Sequence, residues 1–281
     1  MSDAVTFRPA TARDLPAVRT LWHEGFPDDT VEEIDAFWQA ISGAGRCLLC
    51  EQAGEAVSMA FLLPAEARVG VNRAKLWYVY AAATRRDRRG EGLFRRLLDK
   101  AAARAAAENV AALFLRPGEP SLFDYYARCG FEPAIRAEIL KREVGELYSN
   151  NPPIVLNRVE KNYAYVHSAA LDRLQIPYVA WADDVADLAV EMAQKARGGA
   201  VFGDWGAALC ECDGALLIVR ELLCAPERRR EVLFALTRQF PCQLVEANTP
   251  AFDGGGDIFG MLRPCGGGVP DVPLYMGLTM E

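Results

Sequence analysis

Between residues 75 and 105 the hydrophobic pattern changes its period, and that change constrains the fold more than any other stretch of the chain. Residues 75–84 read with period two, as a strand. From Leu93 onward the apolar residues fall on two helical lines, Leu93, Leu97 and Ala101 beside Phe94, Leu98, Ala102 and Ala105. The turn between them is Arg85-Arg-Asp-Arg-Arg-Gly90-Glu-Gly92. A strand that runs through a glycine turn into a helix gathers unpaired backbone N–H groups and the positive end of the helix dipole at one point, a geometry that binds pyrophosphate. Gly90 and Gly92 let the backbone approach such a ligand with no Cβ in the way, and the arginines supply counter-charge.

Around this segment the pattern is that of a mixed domain. Residues 5–8 read as a short strand, Thr11 and Asp14 cap a helix carrying Leu15, Val18 and Leu21, and Thr30 opens a second helix. Residues 46–52, 56–68 and 75–84 form a meander of three apolar runs. Beyond the long helix come a fully apolar strand at 110–115, a short helix at 121–129 and an extended stretch at 131–142, giving the order β-α-α-β-β-β-α-β-α-β. Ser149-Asn-Asn-Pro-Pro153 breaks the pattern and reads as a linker, so the expected domains are 1–148 and 149–281. In the second, helices near 159–174 and 183–195 precede strands at 207–212 and 215–223, a helix at 226–240 and a strand at 243–247. This repeats the strand-strand-helix-strand order of the first half. A strand at 274–280 is expected to close the chain.

Composition removes several classes of function. No apolar run approaches the roughly 18 residues a membrane span needs, and the first residues lack an export signal, so a soluble, cytoplasmic protein with no membrane partner is expected. The net charge of -7 argues against a nucleic-acid partner. Residues 1–150 carry 20 Lys+Arg against 21 Asp+Glu, and the basic window from Arg85 to Lys100 suits a compact polyphosphate better than a duplex. Eight cysteines are too few for a disulfide framework. Cys47 and Cys50, like Cys210 and Cys212, read as buried strand thiols, and no metal is expected.

Arg89-Gly90-Glu91-Gly92-Leu93-Phe94 resembles the acetyl-CoA loop of the GNAT superfamily of N-acetyltransferases, Arg/Gln-x-x-Gly-x-Gly/Ala, with Phe94 in place of the final small residue. Tyr126-Ala-Arg-Cys-Gly130-Phe131 resembles the second motif, a tyrosine four residues before a Gly-Phe pair. The resemblance covers residues 4–142. It implies an α+β GNAT fold, a mixed and mostly antiparallel sheet flanked by helices, followed by a degenerate GNAT-like domain in a tandem arrangement. It also implies acetyl-CoA as acyl donor, held by Ala82, Ala83 and Thr84 on the fourth strand and by Arg89, Gly90, Glu91, Gly92, Leu93, Phe94 and Arg95 at the helix start. The acceptor would be a small amine, and Tyr126 would protonate the departing thiolate, with Tyr125 beside it as an alternative aromatic anchor.

The proton acceptor for the amine stays open. The fourth strand has no glutamate; Glu24 with His23, ordered water, or the terminal carboxylate of Glu281 are the alternatives, and His23 and His167 read as surface or helix-end residues. Asp28, Asp29, Glu32 and Glu33 could receive a cationic amine or simply cap a helix, and Trp22, Phe26, Trp38, Trp77, Tyr78 and Tyr80 could line a pocket or form core. In the second half the equivalent turn, Cys224-Ala-Pro226-Glu-Arg-Arg-Arg230, has no glycine and is not expected to bind pyrophosphate. The function expected is an amine N-acetyltransferase, monomeric or homodimeric. A tandem transferase acting on a thiol precursor or cell-wall intermediate, and a non-catalytic acyl-CoA-binding module, are the alternatives.

Overall fold

A computed structural model describes residues 4–41, 45–148, 154–252 and 255–279. In the first part of the chain β1 (Val5–Pro9) leads to α1 (Leu15–Gly25) and α2 (Val31–Ile41). The meander is β2 (Cys47–Gln52), β3 (Glu55–Val69) and β4 (Asn72–Thr84), followed by α3 (Leu93–Ala107), β5 (Ala112–Leu115), α4 (Leu122–Arg128) and β6 (Glu132–Glu143). The second part contains β7 (Asn157–Val159), α5 (Tyr163–Leu174), β8 (Tyr178–Trp181), α6 (Asp183–Lys195), β9 (Gly199–Gly203), β10 (Gly206–Asp213) and β11 (Leu216–Cys224). It ends with α7 (Arg229–Gln239), β12 (Leu244–Thr249) and β13 (Asp257–Pro264).

The chain forms two compact units, and the division is not a single cut. The first holds residues 1–66, 74–132 and 261–269; the second holds 67–73, 133–260 and 270–281. In the first unit the strands run β1-β2-β3-β4-β5-β13. β4 and β5 are parallel, joined through α3, as a strand-helix-strand crossover requires. The stretch expected to close the first half, β6, instead pairs antiparallel with β12, Glu138 opposite Thr249 and Glu143 opposite Leu244. Its place beside β5 is taken by the end of β13, Met261 opposite Leu115 and Pro264 opposite Ala112.

The second unit, with strands ordered β6-β12-β11-β10-β9-β7, repeats the plan. Two helices, three antiparallel strands and a helix lead to a strand parallel to the third, β11 with β12. Two further short strands, β8 and β9, stand beside those expected from the sequence. Met280 lies outside the described residues, and the expected terminal strand is two isolated bridges, Ile135 with Leu274 and Tyr178 with Tyr275. The apolar stripes of α3 (Leu93, Leu97, Leu98, Ala101, Ala105) and of α7 (Val232, Leu233, Leu236) are buried, as helical periodicity demands.

One expectation fails clearly: His167 is not at the surface but 1% exposed on α5. Its Nε2 lies 3.4 Å from Glu221 Oε2, while the Tyr163 hydroxyl donates to Glu221 Oε1 at 2.5 Å. A buried carboxylate needs such partners, and both come from one face of α5, four residues apart. All eight cysteines are free thiols. Burial raises the Cys50 thiol to about 11 and pushes Cys47 and Cys210 higher, so these groups stay protonated.

Candidate functional site

The site is built on β4. Its pairing with β5 runs over Leu76, Tyr78 and the residue between them and ends at Tyr78 opposite Phe114, one residue before β5 itself ends. Ala81, three residues beyond the last pair with β5, has φ +45°, a strained conformation for a residue with a Cβ. On the opposite edge the end of β4 is held firmly. Ser58, fully buried on β3, donates to the Ala83 carbonyl at 3.0 Å and shares a 2.8 Å hydrogen bond with the Thr84 hydroxyl, while Arg85 N donates to Val57 at 2.9 Å. One edge of residues 82–84 is thus anchored, and the pairs with β5 do not reach the other.

Past Thr84 the chain makes a 3-10 turn, Arg86–Arg88, then Arg89 and the two glycines, and enters α3 at Leu93. Gly90 has φ +85° and Gly92 φ +72°, the left-handed region that favours glycine, and a Cβ at either position would meet nothing within 4 Å. The turn therefore opens on free space. Among the described residues the amides of Gly90 through Arg95 donate no hydrogen bond within the protein; the first helical bond is Arg96 N to the Gly92 carbonyl at 3.1 Å. A row of unsatisfied donors at a helix N-terminus is an anion cradle. Leu93 is 3% exposed and its side chain anchors the helix in the core, so only its backbone faces the cradle.

The basic window divides by partner. Arg85 pairs with Glu55 and Asp87 at 2.7 Å each, and Arg88 pairs with Glu91 at 2.8 Å and also donates to Gln52. These arginines hold the carboxyls of Asp87 and Glu91 below their usual range. Arg89 Nε donates to the Thr84 carbonyl at 3.0 Å and its Nη2 to the Glu24 carbonyl at 3.1 Å. Arg86 and Arg95 are exposed and make no ion pair among the described residues.

The tyrosine motif closes the site on the α4 side. Gly130, at φ +83°, ends α4 in a Schellman turn: Phe131 N donates to the Tyr126 carbonyl at 3.0 Å and Gly130 N to Ala127 at 3.0 Å. Phe131, 1% exposed, packs edge-on to Tyr126 at 5.7 Å, the hydrophobic contact that accompanies this cap. The Tyr-x-x-x-Gly-Phe spacing is thus a helix-ending device that fixes the tyrosine. Phe94, in the first turn of α3, lies 6.5 Å from the Tyr126 ring and stacks on Tyr125 at 6.3 Å, so the loop and the tyrosine helix form one aromatic wall. Burial pushes the Tyr125 phenol above its ordinary range.

Other sequence-predicted residues are accounted for by packing. Asp29 accepts the Trp22 indole N–H at 2.6 Å, and Glu33 closes a capping box with Thr30 at 2.7 and 2.8 Å. Trp22, Trp38 and Tyr78 are 3%, 7% and 2% exposed and belong to the core, whereas Phe26 is 37% exposed at the α1–α2 connection. Arg104 lies over the Trp77 ring at 5.2 Å. Glu24 accepts the Arg86 amide at 2.5 Å, and Glu281 lies outside the described residues. Sequence reading missed the bracing role of the Arg89 side chain, for which no local signal exists. Among the described residues no cluster of three His, Cys, Asp or Glu is placed to hold a metal, and no helix is long and apolar enough to cross a membrane.

A parallel strand pair, a glycine turn at a helix start and a tyrosine helix beside it make up the candidate site. Residues 6–134 match the model of the GNAT acetyltransferase domain, so the chain carries a GNAT domain and is an acyltransferase of that kind. Among solved structures it is similar to GCN5-related N-acetyltransferases from Kribbella flavida (15% identity, TM-score 0.74, covering 93% of this chain and 72% of that one) and Anabaena variabilis (12%, 0.74, 93% and 73%). It is also similar to Eis1 from Mycobacterium abscessus (15%, 0.67, 93% and 74%). The likeness in fold runs through both units. No curated protein matches the sequence.

Proposed function

We propose that the protein transfers the acetyl group of acetyl-CoA to a primary amine of a small molecule or peptide, using the unit of residues 1–66, 74–132 and 261–269 as its catalytic domain and the unit of residues 67–73, 133–260 and 270–281 as a degenerate partner domain. The observation that carries this reading is the row of unpartnered amides from Gly90 to Arg95, opening on free space within one aromatic contact of Tyr126. Those amides would hold the pyrophosphate, with Arg86 and Arg95 contributing charge. Ala82, Ala83 and Thr84 lie beyond the last pair with β5, and that edge would receive the pantetheine arm. Acetyl-CoA supplies the activated thioester when bound. Tyr126 would donate its hydroxyl proton to the sulfur as the amine nitrogen bonds to the acetyl carbon and the carbon–sulfur bond breaks, and the proton lost by the nitrogen would restore the phenol by way of solvent. The test is thiol release from acetyl-CoA over a panel of small amines and peptides: turnover that depends on the amine supports the reading. Tight CoA binding with no turnover on any amine would overturn it in favour of a binding module.

A further inference from the structure

Packing alone holds the tyrosine helix poorly. α4 is seven residues long, carries no buried residue and has no side-chain hydrogen bond capping its start. So short a helix is not stable in water without tertiary support, and its place depends on its ends. Its C-terminal turn is the firm one: Cys129 and Phe131 are buried, and the amides of residues 129–131 return to the carbonyls of Tyr125, Tyr126 and Ala127. Against that turn lies Arg263, a residue of β13 that belongs to the first unit. β13 brings it there by pairing with β5, Arg263 opposite Leu113. A Cβ added to Gly130 would come 3.5 Å from the Arg263 Nε and 3.7 Å from its Cδ, and the Arg263 Nη2 pairs with Asp99 of α3 at 2.8 Å. A cation at a helix C-terminus meets the negative end of the dipole, and this one is also tied to the helix that begins at the donor loop. Burial raises the Cys129 thiol while the charges of Arg95 and Arg263 oppose that shift, as guanidiniums facing this turn would.

We propose that Arg263 is a positioning residue for Tyr126: it clamps the C-terminal turn of α4 to α3, so that the tyrosine keeps a fixed place relative to the donor loop. This rests on the reading of Tyr126 as the proton donor. α3 meets the tyrosine helix twice, through Phe94 in its first turn, 6.5 Å from the Tyr126 ring, and through Asp99 by way of Arg263. The first contact sets the ring against the loop, and the second stops the far end of α4 from swinging away. The catalytic unit is thus completed by a side chain from the second half of the sequence.

The experiment is a double-mutant cycle in the full chain, read as kcat and KM with acetyl-CoA and a turned-over amine, beside CoA calorimetry and amide hydrogen exchange. Arg263→Met keeps the stem against Gly130 and removes the charge and the tie. It should lower kcat about tenfold, as a small displacement of a reacting group does. CoA affinity should stay within about twofold, since the phosphate contacts are backbone amides of the loop. Exchange at Gly130 and Phe131 should speed up about tenfold, the scale of one weakened local structure, with residues 97–105 unchanged to show that α3 remains folded. Arg263→Lys, which keeps a cation beside Asp99, should restore most of both losses. In a Tyr126→Phe background Arg263→Met should cost less than about twofold more, because an effect exerted through the hydroxyl has nothing left to act on. An equal loss in both backgrounds, or wild-type kcat and exchange in Arg263→Met, would overturn the clamp. Tyr126→Phe at the wild-type rate would instead overturn the reading beneath it, a result distinct from a slow Tyr126→Phe beside a normal Arg263→Met. Should no amine be turned over, exchange still decides: unchanged protection of Gly130 and Phe131 in Arg263→Met removes the clamp, and lost protection supports it.

Discussion

The turn from β4 to α3 and the turn from β11 to α7 occupy the same place in two copies of one topology, each following a strand whose parallel neighbour comes next in the chain. Both begin with a short 3-10 turn and both are rich in arginine. In the first, four residues, Arg89 to Gly92, separate the 3-10 turn from the helix; in the second, Arg228 ends the turn and Arg229 starts the helix with nothing between. Without those four residues there is no glycine loop ahead of the helix start. The second set of cations is also consumed: Arg228 pairs with Glu231 at 3.3 Å, Arg229 with Glu138 at 2.7 Å and with the Pro250 carbonyl, and Arg230 donates to the Tyr148 carbonyl at 3.1 Å. What the second turn lacks is the glycine loop and the uncommitted cations.

The hardest test of that contrast is Gly92→Val. A β-branched residue at φ +72° is strained, and its side chain would stand in the cradle's open space, so CoA affinity should fall by roughly a hundredfold or more. Calorimetry giving wild-type affinity would end the assignment of the first turn. Tyr126→Phe keeps the ring against Phe94 and Phe131 and removes only the hydroxyl. Turnover should drop roughly tenfold to a thousandfold with CoA affinity nearly unchanged. Equal rates would assign the proton to water or another residue.

A milder comparison pits the two arginine clusters against each other. Arg86→Ala and Arg95→Ala should each weaken CoA binding by about three- to tenfold, an effect that shrinks as salt is raised. Arg228→Ala and Arg230→Ala should change it by less than about twofold, and the stoichiometry should be one CoA per chain. Two CoA per chain, or equal losses in the two clusters, would show that the second turn binds after all.

Much of this contrast was legible in the sequence because its determinants are local. The change of period at Thr84, the glycines at 90 and 92 and the Gly-Phe pair after Tyr126 each act within one turn of chain. Pro226 and the missing glycines likewise announced the closed second turn. What could not be read depends on distant partners. Nothing in residues 132–143 says that β6 will pair with β12, or that the end of β13 will lie beside β5. Tyr178-Val-Ala-Trp181 is a fully buried strand too short to show a period. The burial of His167 depends on Glu221, 54 positions away, and the brace at Arg89 on a carbonyl 65 residues earlier.

The smallest effect concerns Glu91, the one acidic side chain inside the cradle sequence. Its pair with Arg88, 2.8 Å long and partly exposed, keeps the carboxyl charged beside the expected phosphates. Glu91→Gln removes that charge and releases Arg88, so CoA should bind about two- to threefold tighter at low salt, within the range an exposed ion pair commands. The pH dependence follows from the direction of the shift. Arg88 depresses the Glu91 pKa, so the pair supports the folded loop above the ordinary carboxyl value and is lost as pH falls through the depressed one. The difference between wild type and Glu91→Gln should hence stay flat through neutral pH and fade only below about pH 4. Weaker binding in Glu91→Gln would mean that the pair shapes the cradle, and that the amides of the first turn need this ion pair to stay open.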